Sequence, residues 1–203
     1  MGLKDGNSTL PVKFMASCEE YNDAEIVLVG VPMDFTCSFR PGTRFGPQKI
    51  REVSIGIEEY SVYMDKDLTD SSFFDCGDLD MPFGNVEGSL KLIGDSAQEI
   101  LDDGKFPIFI GGEHLISVPV IKEVHKKYGD ELIVLHFDAH ADLREVIWDV
   151  LTPMHLLSEG SSTLCPEKTF ISSALDQEQR KSSNLQRITP ICTSLMLLSH
   201  WRK

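Results

Sequence analysis

A chain of 203 residues, 41% of them apolar, can bury one sizeable core and suits a single domain. Its net charge of −13 argues against nucleic acid or an anionic membrane surface as a partner, and it welcomes a small cationic substrate. Five scattered cysteines with no Cys-x-x-Cys, an opening stretch (MGLKDGNSTL) without an apolar signal region and no membrane-length apolar run lead us to expect free thiols in a reducing cytoplasm.

Residues 1–23 show no periodicity and read as an N-terminal arm. Glu25 to Val31 (EIVLVGV) is a short apolar run, as expected of a strand covered on both faces in a parallel sheet. Pro32 to Pro47 (PMDFTCSFRPGTRFGP) has neither helix nor strand period and reads as an ordered loop. A helix is expected over Gln48 to Ser54, because Pro47 suits a first helical turn. Ser72 to Leu79 (SFFDCGDL) is a second strand running into Asp75 and Asp78. Both acids are of metal-ligand type. Asn85 to Leu101 carries Val86, Leu90, Ile93, Ala97, Ile100 and Leu101 at near-helical spacing, ended by Asp102-Asp103-Gly104. Phe106 to His114 (FPIFIGGEH) is a third strand, ending in two glycines and an imidazole. A helix follows from about Ile116 to Tyr128.

Leu132 to Arg144 (LIVLHFDAHADLR) is the most informative stretch. Its apolar opening reads as a buried strand. Asp138, His140 and Asp142 then alternate, and alternate residues of an extended segment point to one side. A single His or Asp after a strand is more often a capped turn residue. Three ligand types alternating past one strand, with His114 past another, point to a metal centre at the strand C-termini, where open α/β sheets hold their ligands. Mixed carboxylates and imidazoles suit Mn²⁺ or a similar hard divalent ion.

GGEH followed by DAHADLR resembles the ureohydrolase family of arginase, agmatinase and formiminoglutamase. The Arg40–Pro47 loop and the stretch from Ile57 to Leu68 resemble the agmatinase branch. The resemblance implies an α/β fold of three αβα layers around a parallel sheet. It also implies a structural turn at Asp75 and Asp78. It implies two Mn²⁺ ions per site, a small guanidino substrate cleaved with release of urea, and a homo-oligomer. It further implies that His114 and Asp142 serve one metal, His140 the other, and that Asp138 bridges. Arginine or formiminoglutamate are alternative substrates, and a deacetylase of similar fold is a more distant reading.

The family also takes two aspartates from a later Asp-x-Asp strand, a pattern missing from 145–203. Composition breaks there as well. Residues 145–203 hold six Lys/Arg against six Asp/Glu and nine of the 19 serines, so the whole net charge lies in 1–144. Reading each codon's third base with the next two, with free third bases chosen to suit, opens a stop-free frame. That frame resembles the continuation of an agmatinase. The expectation is therefore 1–144 as the N-terminal part of a ureohydrolase domain, incomplete on its C-terminal side. Residues 145–203 would be a non-homologous, poorly ordered tail, out of frame after one base lost near the Arg144 codon. The polypeptide itself would be inactive, a truncated remnant or at most a binding subunit.

Overall fold

In this computed structural model the described residues are 12–37, 39–138, 170–174 and 197–199. They fall into two compact units, Met1–Lys127 and Tyr128–Lys203.

The first unit is built on β1 (Ile26–Val31), α1 (Gly46–Ser54), a small hairpin of β2 (Tyr60–Ser61) and β3 (Lys66–Asp67), β4 (Phe73–Asp78), α2 (Val86–Asp102), β5 (Phe106–Gly111) and α3 (Ser117–Tyr128). The sheet order is β4-β1-β5 and both pairings are parallel. β1 lies in the middle and is covered on both faces, with Val27, Val29 and Val31 wholly buried on one and Leu28 buried on the other. That is why its sequence is an unbroken apolar run rather than an alternation. Parallel pairing requires a crossover between consecutive strands, which is why helices separate them in the chain.

The helices begin and end for local reasons. Pro47 lies in the first turn of α1, where its missing N–H costs no helical bond. The Asn85 side chain caps α2 by accepting from the Gly88 amide. Along α2 the buried side chains include Ile93, Ala97, Ile100 and Leu101, the stripe expected from their spacing.

Residues 12–23, expected as an arm, are docked on the sheet. Cys18 bridges Phe74, and the ring of Tyr21 packs edge-on against that of Phe74 at 5.6 Å. The Tyr21 hydroxyl donates to Asp103 at 2.8 Å. Aromatic side chains supply enough contact area to hold a segment that lacks regular structure.

The second unit differs from expectation. β6 (Ile133–Asp138) was expected to extend the first sheet beside the Phe106–Gly111 strand. It instead pairs in parallel with β7 (Phe170–Ala174) and antiparallel with β8 (Leu197–Ser199), forming a sheet of its own. An apolar strand needs partners for its open backbone groups on both edges. β6 finds them in two short segments of the 145–203 region, where the sequence reading expected no strands. Among the described residues, no helix is long and apolar enough to cross a membrane.

Candidate metal centre

Two acidic stretches lie at strands of the first sheet, and they are occupied differently. Within β4, Asp75 is wholly committed to structure. Its Oδ2 accepts from Arg51 Nε at 2.7 Å and from the Phe14 amide at 2.8 Å. Its Oδ1 accepts from Arg51 Nη2 at 2.8 Å and from the Gly77 amide at 3.0 Å. Arg51 is 1% exposed and also donates to Asp78 from Nη1. Burial works against the arginine's charge, but its bonds with Asp75 and then Asp78 prevail and hold its pKa above the ordinary value. These two acids are structural, as expected, but both lie within β4 rather than in a turn after it. Gly30 makes room for the cluster, since a Cβ there would lie 1.8 Å from Asp78 Oδ1.

At the end of β5 the chain runs through Gly112 and Glu113 into a short 3-10 turn, His114–Ile116. Leu115 and Ile116 are buried, whereas His114 is exposed. The apolar pair anchors the turn and presents the imidazole to solvent.

The preceding residue faces the other way. Glu113 Oε1 accepts from the Phe35 amide at 3.0 Å, and its Oε2 accepts from the Thr36 amide at 3.1 Å and the Thr36 hydroxyl at 2.5 Å. The Cys37 thiol points at the same Oε2 from 3.9 Å. Farther along this loop, Asp34 Oδ2 accepts from the Gly42 amide at 2.7 Å and from Arg44 Nη1 at 2.8 Å. The Gly42 bond foremost, with Arg44 assisting against burial, holds the Asp34 carboxyl below the usual carboxylate range. Arg44 is thereby assigned to Asp34 and also lies over the Phe45 ring at 4.7 Å, while Arg40 lies over Phe39. The sequence reading quoted Glu113 and Asp34 without a role for either. The signal available was a carboxylate set immediately before a ligand-type histidine.

Of the four expected metal ligands, His114 is described in full and Asp138 by its backbone, as the last residue of β6. His140 and Asp142 lie outside the described residues. Among the described residues, no three His, Cys, Asp or Glu side chains gather as a metal group. The described cysteines Cys18, Cys37 and Cys76 are free thiols.

A family model described as the arginase family matches residues 24–163. The chain belongs to the arginase family. The match runs past Arg144 into the compositionally distinct region. Agmatinase from Bacillus subtilis strain 168 is 58% identical over 131 residues, covering 64% of this chain and 45% of that protein. Agmatine ureohydrolase of Thermoplasma volcanium has a similar fold at a TM-score of 0.60 and 30% identity, covering 65% of this chain and 43% of that one. Trypanosoma cruzi formiminoglutamase with Mn²⁺ gives a TM-score of 0.63 at 25% identity, covering 77% and 54%. The chain therefore spans about half the length of the relatives it matches. The expected α/β fold, a parallel sheet layered with helices, is that of these relatives.

Proposed function

We propose that this arginase-family chain derives from an agmatinase-type ureohydrolase that cleaves agmatine to putrescine and urea. The observation that carries this reading is the 58% identity to an agmatinase over 131 residues, beside a family match over 24–163 that contains both the GGEH turn and the DAHAD stretch. The donor set fits a hard divalent ion: an exposed imidazole after β5, with two carboxylates and an imidazole at alternate positions from the end of β6 onward. His114, Asp138, His140 and Asp142 would hold two Mn²⁺ ions. When bound, the metals supply a water acidic enough to attack the guanidinium carbon at neutral pH. The chain's own contribution would be to supply these donors and to offer an acidic field to a cationic substrate. Arginine and formiminoglutamate are the competing substrates. The setting would be the cytoplasm, with a homo-oligomer as the working state.

The test is product release by the purified chain with Mn²⁺, urea from agmatine or arginine and formamide from formiminoglutamate, against a His114→Ala variant. Faster turnover of arginine than of agmatine would overturn the substrate assignment. Acetate release from an acetylated amine with one Zn²⁺ would replace the reading with deacetylation.

A second reading is favoured by the composition break beyond Arg144 and by the missing Asp-x-Asp pattern in 145–203. On this reading the polypeptide itself is not a working hydrolase, because it lacks two of the family's six metal side chains. Mn²⁺, the weakest binder of its series, would be the first metal lost. Turnover together with about two Mn²⁺ per chain, counted by atomic emission, would refute it. Resequencing the codons from Asp142 to Trp148 in fresh genomic DNA decides its cause. One extra base there makes residues 145–203 out of frame, and an unchanged sequence makes them genuine.

A further inference from the structure

The loop over residues 32–47 and the turn bearing His114 meet at two independent places. The first is the Glu113 carboxylate, which accepts from three donors on Phe35 and Thr36. The second is backbone contact. A Cβ built on Gly112 would lie 2.1 Å from the Met33 carbonyl oxygen and 3.0 Å from the Met33 nitrogen, so the glycine turn lies directly against the loop's first residues. The Gly112 amide also donates to the Val31 carbonyl at 3.1 Å, which fixes the turn to the end of β1. Thus Gly112 and Glu113, the two residues preceding His114, are both fastened to the segment from Val31 to Thr36. That segment is in turn closed on itself through Asp34, Gly42 and Arg44.

We propose that Glu113 is a positioning residue that makes the ordering of the 32–47 loop and the placement of His114 a single event. This rests on the metal role assigned to His114, and Glu113 itself acts through the loop and the turn rather than on a metal or substrate. An ionised acceptor bonded to two successive amides and a hydroxyl fixes three loop atoms relative to one side chain, and bonds to a charged group outweigh those between neutral groups. The adjoining peptide carries that constraint to His114 within one residue. A loop and a ligand tied in this way would be set together, as partners behind a metal's ligands commonly are.

The test needs neither metal nor turnover, so it succeeds or fails independently of the ureohydrolase reading. Amide hydrogen exchange and the His114 ring resonances are followed by NMR on the full chain. In Glu113→Ala, exchange at the Phe35 and Thr36 amides should quicken by about tenfold or more while Val27 and Val29 in β1 keep their protection. Glu113→Gln, which keeps one acceptor oxygen, should be intermediate. The decisive arm is Thr36→Val, which removes only the hydroxyl donor and spares the fold even if Glu113→Ala does not fold. It should shift the His114 ring resonances although it lies on the loop. Unchanged His114 resonances in Thr36→Val would overturn the proposal. So would unchanged exchange at Phe35 and Thr36 in Glu113→Ala, or equal quickening in β1, which would mark Glu113 as a general stabiliser.

Discussion

Within β4 two carboxylates close on a buried arginine, while past the C-terminal end of β5 a carboxylate closes on a loop beside an exposed histidine. Written as sequence, DCGD and GGEH are much alike: acids beside glycine after an apolar run. What separates them is the partner each meets. Arg51 on α1 brings a buried positive charge to Asp75 and consumes its lone pairs. Among the described residues, Glu113 instead takes neutral donors from the 32–47 loop. Glycine serves both places, at Gly30 for the ion cluster and at Gly112 for a backbone crossing. The first strand end is thus sealed by ion pairs to a buried arginine, and the second is tied to a partly exposed loop.

The largest effect should come from breaking the sealed end. Arg51→Met leaves Asp75 buried without its counter-charge, which should cost about 3–5 kcal/mol in urea denaturation. The same measurement on Glu113→Ala should show about 1–3 kcal/mol, since its bonds lie at a partly exposed loop. A larger loss for Glu113→Ala than for Arg51→Met would erase the contrast.

Next in size is the backbone crossing at the loop-tied end. Gly112→Ala must push the Met33 carbonyl aside, and forced overpacking of this kind costs about 1–3 kcal/mol, readable as a fall in Tm. The loop should loosen in that variant before β1 does.

The two ends should also differ in thiol chemistry. Cys76 is buried at the sealed end, and burial foremost, with the charge of Asp75, pushes its thiol up to about 12. At pH 8 only about one molecule in ten thousand carries the reactive thiolate there. Cys37, half-buried beside Glu113, should be alkylated by iodoacetamide first, and peptide mapping reads the order. Equal rates at Cys37 and Cys76 would mean that the β4 end opens as readily as the loop.

The smallest effect is that of acid on the loop. The Asp34 pKa is lower folded than its ordinary value of 3.8, so the tie to Gly42 and Arg44 is fully present above that pH. It should be lost as the pH falls through the lower folded value, so amide exchange in residues 39–45 should quicken there at a pH where β1 is still protected. Loss at a higher pH would show that another group controls the loop.

Among the described residues, the sequence alone determined the main strands and helices up to Asp138, though not the small hairpin of β2 and β3, and the covered character of β1, though not its central place. Those features follow from local periodicity, glycine and proline placement and short-range capping, which neighbouring residues carry by themselves. The likeness of GGEH and DAHADLR to a known family was likewise open to reading before any coordinates. Only the tertiary structure decided that Asp75 is spent on Arg51, 24 residues away in the chain, and that Glu113 is spent on a loop 77 residues earlier. It also decided that β6 pairs with β7 and β8, and that the residues before β1 are docked on Phe74. A carboxylate's use depends on which donors folding brings within 3 Å of it, and a strand's neighbours depend on which open edges are at hand. Neither is encoded in the spacing of residues along one segment.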